Sequence, residues 1–357
     1  MIAAQEEIHE VVVDRIASGG AGVARLSTGK AIFIRGTAPG ERVRVDVTAH
    51  HKKYAEGRLL EIFEPSQQRV AAPCPHFGIC GGCDYQHLDY PLQLEIKHAH
   101  VRDALVRIGK ITGVHISPAL ASPAPYGYRN RITVHAAGGR TGFFERGTRR
   151  VVDVEHCAIA DSATNAALST LRSSPVRDGA YPLRPSGSFR GFRQVNDSAA
   201  QVLLDVVTGM AGGGVHVVDA YCGAGFFGHA LASTHESVTG IEWSADAVRK
   251  AREDAHANET YMEGDVAVLL GDVLRSVSPD ATTLIVDPPA AGLERAVVRA
   301  VAGEQAPARV IYVSCDPATL ARDLALLSGT FTITHVQPVD MFPQTSHIEC
   351  VANLTRR

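Results

Sequence analysis

The sequence lacks the features of membrane and secreted proteins. It has no run of 18 apolar residues, the length a membrane-spanning helix needs. Its first seven residues contain neither the basic nor the apolar region of a secretory signal peptide. The formal net charge is −3, so a polyanionic partner would have to meet local basic patches rather than a global positive field. No repeat or low-complexity tract is present. We predict a cytoplasmic protein of two or three domains.

Cysteine is scarce, and the seven that occur are unevenly spread. An odd number in a chain without a secretory signal favours metal binding or catalysis over a disulfide framework. Cys74, Cys80 and Cys83 lie within ten residues, around a Gly-Gly pair, and Cys157 follows at a distance. Four cysteines can converge on one metal centre. Their spacing fits both a tetrahedral zinc ion and an iron–sulfur cluster.

The first half of the chain is predicted to contain two strand-rich regions and one helix. Short strands alternate with glycine-rich turns over residues 8–62, a pattern typical of a small OB-type barrel. An amphipathic helix is predicted over residues 91–108, with Gly109 as its stop. Its apolar stripe comprises Leu94, Val101, Leu105 and Ile108. Residues 126–155 interleave arginines with aromatic residues, which suits contacts to RNA but also describes a solvated sheet face.

From about residue 191, strands and helices alternate, which predicts a doubly wound α/β sheet. The predicted strands cover residues 215–219, 238–242, 284–287, 310–314, 331–339 and 347–354. Two helices are predicted, one from a cap at Ser244 to Asn258 and one from Pro317 to Ser328.

A glycine-rich turn follows the first of these strands. Residues 219–225 read DAYCGAG, which lets a ligand approach the backbone at the carboxyl end of the sheet. Glu242 ends the next strand and is placed to accept hydrogen bonds from a ribose. Asp287 precedes two prolines, so its carboxylate projects from a rigid strand end. A tight turn without a ligand is the alternative for the glycine motif taken alone.

Cys315 is the candidate nucleophile. It follows an apolar strand and precedes Asp316-Pro317, which places it just before a helix whose N-terminal N–H groups favour a thiolate. Most cysteines are small buried hydrophobic residues, and Cys222 and Cys350 are interpreted in that way. Glu349 is the candidate base, 34 residues after Cys315. The sequence leaves open whether its side chain faces a cleft or the solvent.

Together these motifs resemble the RNA uracil-5 methyltransferase family, in particular bacterial members with a TRAM domain and a [4Fe–4S] cluster. The resemblance covers nearly the whole chain. Its most specific block is SCDPATLARDL at residues 314–324 with DMFPQT and His347-x-Glu349 further on. Residues 192–196, FRQVN, are similar to a family motif whose glutamine contacts the cofactor.

The resemblance implies a three-domain α/β protein. An OB-type TRAM barrel would occupy residues 1–63, and a small α+β domain with the cluster would occupy residues 64–190. A Rossmann-like methyltransferase domain would occupy residues 191–357, with helix 91–109 able to pack on it. RNA is the implied partner, with 23S ribosomal RNA favoured over transfer RNA.

The resemblance also implies roles for individual residues. It makes Cys315 the nucleophile and Glu349 the general base. The cofactor S-adenosylmethionine would be contacted by Gln194, Tyr221, Glu242, Asp265 and Asp287. The [4Fe–4S] cluster would be held by Cys74, Cys80, Cys83 and Cys157.

Three positions depart from the family pattern. Phe226 replaces a polar asparagine, Ala290 replaces an arginine after Asp-Pro-Pro, and Trp243 follows Glu242. Three functions therefore stand side by side: a methyltransferase for a uridine of 23S ribosomal RNA, one for the T-loop of transfer RNA, and an RNA-binding iron–sulfur protein with a decayed catalytic domain.

Overall fold

A computed structural model describes residues 7–185 and 194–357 and divides the chain into two compact units. The described part of the first unit comprises residues 7–96, 125–185 and 342–346, and that of the second comprises residues 97–124, 194–341 and 347–357. Over the described residues, no helix combines the length and the apolarity that a membrane crossing requires.

Six strands form the N-terminal sheet of the first unit, in the order β1-β5-β6-β4-β3-β2. They are β1 (Ile8–Val12), β2 (Arg15–Ile16), β3 (Gly22–Arg25), β4 (Ala31–Ile34), β5 (Arg42–His50) and β6 (Tyr54–Glu64). Bulges in the β5–β6 pairing bend the sheet into a half-barrel. A Cβ at Gly57 would stand 2.7 Å from Ile32 Cδ1, so a larger residue there would force the buried Ile32 side chain to shift. The predicted series of short strands over residues 8–62 is confirmed, and the two-residue strand β2 is too short to show a sequence pattern.

Helix α1 (Tyr90–Arg107) follows, and then the short strand β7 (His115–Ile116). Val101 and Leu105 are buried as predicted and belong to the core of the second unit. Ile108 is 51% exposed, so its place on the apolar stripe was wrong. The helix ends at Arg107, and the 3.6-residue period no longer applies one residue later.

A second sheet of the first unit contains β8 (Ile132–Ala137), β9 (Arg140–Phe144), β10 (Val151–Asp153) and β11 (Gly179–Leu183). The order is β10-β9-β8-β11, and every pairing is antiparallel. Helix α2 (Ser162–Arg172) packs Leu168 into the core of this sheet. Asp161 caps that helix by accepting the N–H of Thr164 at 2.6 Å.

The second unit is built on an eight-stranded sheet in the order β14-β13-β12-β15-β16-β18-β17-β7. Its strands besides β7 are β12 (Gly214–Ala220), β13 (His235–Glu242), β14 (Glu259–Glu263), β15 (Thr282–Val286), β16 (Arg309–Ser314), β17 (Phe331–Val339) and β18 (Glu349–Arg356). Its helices after α1 are α3 (Asp197–Ala211), α4 (Phe226–Leu231), α5 (Ala245–Glu253), α6 (Val266–Arg275), α7 (Arg295–Val301) and α8 (Pro317–Leu327), with a 3-10 turn at Pro279–Ala281.

The predicted doubly wound sheet is confirmed. The five neighbouring strands β14, β13, β12, β15 and β16 are parallel to one another, and β18 runs antiparallel to both of its neighbours, β16 and β17. Ser244 caps α5 as expected, but that helix ends at Glu253 instead of Asn258. The order of the strands reverses at β12, and such a switch point is where open α/β sheets bind ligands.

The middle of this sheet is apolar on both faces. All five residues of β15 and five of the six in β16 are buried. One charged pair lies inside the same unit: Lys97 Nζ is 2.6 Å from Asp340 Oδ1, and both side chains are fully buried. Because strand interiors are filled with apolar side chains, reactive groups are left at the strand ends.

Candidate active site

The carboxyl ends of the parallel strands bring polar side chains to one edge of the sheet. Tyr221 follows β12, Glu242 ends β13, Asp287 follows β15 and Cys315 follows β16. The pairing of Ala220 with Val286 puts the residues just beyond them side by side, and Asp287 N–H donates to Ala220 O at 3.4 Å.

Glu349 reaches this edge from a strand that runs the other way. Ser314 of β16 pairs with Cys350 of β18, so the next step of the antiparallel register sets Cys315 beside Glu349. Residues opposite each other in such a ladder have Cα atoms about 4.5–5.5 Å apart. The structure therefore brings the predicted nucleophile and the predicted base together.

The local setting of Cys315 agrees with the sequence only in part. Asp316 caps α8 by accepting the N–H of Thr319 at 2.7 Å, and Pro317 is the first helical residue, as expected. The expected stabilised thiolate is not found. Burial, and then the charges of Glu349 and Asp287, raise the pKa of the Cys315 thiol to about 11. The helix terminus is outweighed by the low-dielectric surroundings and by like charge.

Glu349 points inward and is only 4% exposed. Burial raises the pKa of its carboxyl well above the ordinary range, and the charge of Asp287 raises it further. Burial also raises the pKa of the half-buried Asp287. No hydrogen bond or ion pair of the Glu349 side chain is found within the described ranges. The two carboxyls thus form a coupled pair that holds a proton more readily than isolated acids do.

The backbone of the glycine-rich turn has a left-handed conformation at three positions. Tyr221, Gly223 and Gly225 have φ values of 66°, 55° and 85°, in the left-handed region that glycine adopts without strain. Glu242 fixes the turn, since its Oε2 accepts the N–H of Gly223 at 3.1 Å and its Oε1 that of Ser244 at 2.9 Å. Each oxygen keeps a lone pair for a further donor. Burial raises the pKa of Tyr221 to about 12.

Asp219 is the first residue of the glycine-rich motif, and the sequence predicted no role for its side chain. Its Oδ2 accepts the N–H of Gly228 at 3.0 Å, and its Oδ1 is buried without a hydrogen-bond partner among the described atoms. Burial, and to a smaller extent Asp287 and Glu242, raise the pKa of this carboxyl to about 8. The sequence does contain a signal for a functional residue here, because Asp219 is an acid near the end of an otherwise apolar strand.

The remaining expected cofactor residues lie at element ends. Asp265 is exposed and caps α6 by accepting the N–H of Ala267 at 2.8 Å. Gln194 is half-buried just before α3, which Asn196 caps by accepting the N–H of Ala199 at 3.1 Å. Phe192 and Arg193 of the same motif lie outside the described residues.

The three departures from the family pattern are all at the same edge. Phe226 begins α4 and meets Phe227 edge-on, with ring centroids 4.9 Å apart. Trp243 is 77% exposed. The carbonyl oxygen of Ala290 accepts the hydroxyl of Thr319 at 3.1 Å, which ties the loop after β15 to α8.

The four predicted cluster cysteines line a single cavity of about 260 Å³ in the first unit. Polar side chains hold their backbone: Gln86 Oε1 accepts the N–H of Cys74 at 3.2 Å, and Asn165 Oδ1 accepts that of Cys157 at 2.9 Å. Burial, and then the charge of Cys157, raise the pKa of Cys83 to about 12. As placed, no three His, Cys, Asp or Glu side chains of the described chain lie close enough to hold one metal ion.

Comparison with known proteins places this geometry in a family. Three family descriptions match: TRAM domain at residues 6–60, methyltransferase small domain at 191–304, and tRNA (uracil-5-)-methyltransferase at 271–357. An uncharacterized RNA methyltransferase of Gloeobacter violaceus is 31% identical over 99% of this chain and 97% of that protein. One from Halalkalibacterium halodurans is 32% identical, over 98% of this chain and 97% of its own length.

A solved structure shares the fold. The Pyrococcus abyssi tRNA (uracil-54, C5)-methyltransferase, crystallised with S-adenosyl-L-homocysteine, has a TM-score of 0.71 at 24% identity. The match covers 97% of this chain and 100% of that one. The family matches and the two RNA methyltransferase relatives identify the chain as a member of the RNA uracil-5 methyltransferase family with a TRAM domain, an S-adenosylmethionine-dependent RNA (uracil-5-)-methyltransferase.

Proposed function

We propose that this enzyme methylates carbon 5 of one uridine through a covalent adduct between Cys315 and carbon 6. The observation that carries the proposal is the strand register that sets Cys315 beside Glu349, with Asp287 on the neighbouring strand end. A nucleophile next to a base of raised pKa is the arrangement that covalent catalysis followed by proton removal requires.

Carbon 5 of uracil is a weak nucleophile until a thiolate adds to carbon 6. The Cys315 proton passes to the ionised member of the Asp287–Glu349 pair as the S–C6 bond forms, and electron density moves to carbon 5. S-adenosylmethionine, when bound, would supply an electrophilic methyl group to that carbon and be left as S-adenosylhomocysteine. The Asp287–Glu349 pair then releases a proton to solvent, and Glu349, in its ionised form, removes the carbon 5 proton. The C5–C6 double bond re-forms as the S–C6 bond breaks.

The residues at the glycine turn fit the cofactor. The left-handed turn leaves the backbone uncovered, and Glu242 retains acceptor capacity for two ribose hydroxyl groups. We assign the remaining contacts to Gln194, Tyr221, Asp265 and Asp287. The exposed indole of Trp243, next to Glu242, is free to cover an adenine.

We further propose that Cys74, Cys80, Cys83 and Cys157 hold a [4Fe–4S] cluster with a structural role. Four sulfurs bound to one zinc ion at about 2.3 Å would stand about 3.8 Å apart, which leaves no large cavity between them. The four cysteines line a cavity of about 260 Å³, which has room for the larger group. Anaerobically purified protein should be brown and contain about four irons per chain. Colourless protein with a single zinc would contradict this assignment.

We propose that the N-terminal sheet of the first unit binds the RNA, together with the arginine-rich residues 126–155. On the N-terminal sheet, the His51 ring stacks on Tyr54 at 4.3 Å and Phe33 meets Tyr54 edge-on at 5.3 Å. Lys52 and Lys53 beside them are exposed. Aromatic rings next to cations suit unstacked bases and phosphates. We also propose a three-domain division at residues 63 and 190, which is supported by the position of the matches at 6–60 and 191–304.

We favour 23S ribosomal RNA as the substrate, from the combination of a TRAM domain with four clustered cysteines. The test is to map 5-methyluridine in ribosomal and transfer RNA from a deletion strain. Loss of one ribosomal 5-methyluridine supports the proposal, and loss from the transfer-RNA T-loop supports the second candidate. If no 5-methyluridine is lost and purified protein transfers no methyl group, the catalytic domain has decayed, as the departures at Phe226 and Ala290 would then explain.

A further inference from the structure

Residues 342–346, here called the PQT segment, belong to the first unit although the chain on either side belongs to the second. The segment is bound by the loop that begins directly after Cys83. The carbonyl oxygen of Gln344 accepts the N–H of Asp84 at 2.8 Å and that of Tyr85 at 3.0 Å. The Asp84 side chain returns the contact, since its Oδ2 accepts the N–H of Ser346 at 3.0 Å.

A second pair of hydrogen bonds holds the same segment. Gln93 of α1 donates from Nε2 to Gln344 Oε1 at 3.0 Å and accepts the Gln344 N–H on Oε1 at 3.1 Å. Gln344 is one of three non-glycine residues with positive φ among those described, at 68°. A strained conformation of this kind persists only where the surroundings enforce it.

Asp84 is itself tied to residues 74–83, here called the cysteine loop. Arg146 NH2 lies 2.9 Å from Asp84 Oδ1 and also donates to Cys83 O at 2.7 Å. The Asp84 side chain is only 10% exposed, so this ion pair is largely shielded from solvent. Cys83 is one of the cysteines that line the cavity. One connected set of contacts therefore runs from the cysteine loop to Ser346.

Glu349 follows Ser346 by three residues in the chain. We propose that Asp84 is a positioning residue for Glu349: the cysteine loop, through Asp84, fixes the PQT segment and thereby the start of β18. The inference rests on the proposed role of Glu349 as the base that removes the carbon 5 proton. It gives the cysteine loop a task in catalysis without contact with the substrate.

The test is Asp84→Ala in the full-length protein, with Asp178→Ala as the matched control, because Asp178 is an exposed aspartate of the same unit. With a misplaced base, Cys315 still adds and proton removal slows. We expect kcat to fall about 10- to 100-fold, the KM for RNA to change less than about 2-fold, and a covalent complex with ordinary uridine RNA to accumulate. Hydrogen exchange at the N–H groups of residues 344–346 should quicken, and Asp84→Asn, which keeps an acceptor for Ser346, should restore most of the rate.

Unchanged exchange, or a fall in kcat without the covalent complex, would overturn the inference. If Asp84→Ala loses iron, Gln93→Met replaces it. This change removes the amide pair at Gln344 together with the Nε2 hydrogen bonds to the carbonyl oxygens of Tyr85 and Leu88, and it alters none of residues 74–83. The same exchange and the same complex are expected. Glu349→Gln tests the proposed role of Glu349 as the base independently of the positioning role of Asp84. If it fails to accumulate the complex, the proposed role of Glu349 fails, whatever Asp84 does.

Discussion

Glu349→Gln is expected to lower the pKa of the Cys315 thiol. That pKa is raised from an ordinary 9.0 to about 11, first by burial and next by the charge of Glu349. Glutamine keeps the shape of the side chain and removes the charge. The substitution should lower the pKa of the thiol by about 0.5–1 unit, and no further, because burial and the charge of Asp287 remain.

The rate of alkylation by iodoacetamide measures this change, because only the thiolate reacts. With a pKa of about 11, roughly one Cys315 in 1,000 is ionised at pH 8. The glutamine variant should raise that fraction, and therefore the rate, by about 3- to 10-fold. Peptide-resolved mass spectrometry separates Cys315 from the other six cysteines.

Glu349→Asp is the control, because it retains the charge and should keep the slow rate. Equal rates for wild type and Glu349→Gln would show that the carboxyl is not beside the thiol. A wild-type profile with a midpoint below pH 8 would refute the reasoning in another way. It would mean that the start of α8 stabilises the thiolate more than burial opposes it.

Three further substitutions test other parts of the structure. Asp219→Asn should raise the melting temperature relative to wild type by an amount that grows from pH 5 to pH 8. The folded carboxyl has a pKa of about 8 against an ordinary 3.8, so the wild-type protein loses stability as pH rises through that window. An equal difference in melting temperature at both pH values would contradict this. Lys97→Met should destabilise the protein by about 3–5 kcal/mol in urea unfolding, because it removes the buried ammonium that faces the buried Asp340 carboxylate, and a loss under about 1 kcal/mol would be inconsistent with a buried pair. Lys52→Ala with Lys53→Ala should reduce the slope of log affinity for single-stranded RNA against log salt by about 1.4, and an unchanged slope would remove these lysines from the interface.

The sequence predicted strands best where the strand is buried along its whole length. Strands β15 and β16 are covered on both faces, so they appear as unbroken apolar runs, and the polar residues that follow them mark the site. Strand β14 was missed because only Tyr261 of its five residues is buried, and β7 because it has two residues. Neither contains a pattern that a sequence can reveal.

The electrostatics of Cys315 could not be predicted from its neighbours in the chain. Local sequence gave the helix start correctly, but Asp287 and Glu349 lie 28 and 34 residues away and meet the thiol only through strand order. The direction of Glu349 was open for a related reason. β18 lies between two other strands, and residues 348–350 are all buried, so alternation along the strand does not separate inside from outside.

The most direct measurement is the site of attachment of RNA that contains 5-fluorouridine. Fluorine replaces the proton that Glu349 would remove, so the reaction stops at the adduct. After incubation with S-adenosylmethionine and nuclease and protease digestion, mass spectrometry should find a methylated fluorouridine on the peptide that contains Cys315, and none in Cys315→Ala. A wild-type enzyme that methylates ordinary RNA but leaves Cys315 unmodified by the fluorinated RNA would contradict covalent catalysis by this thiol.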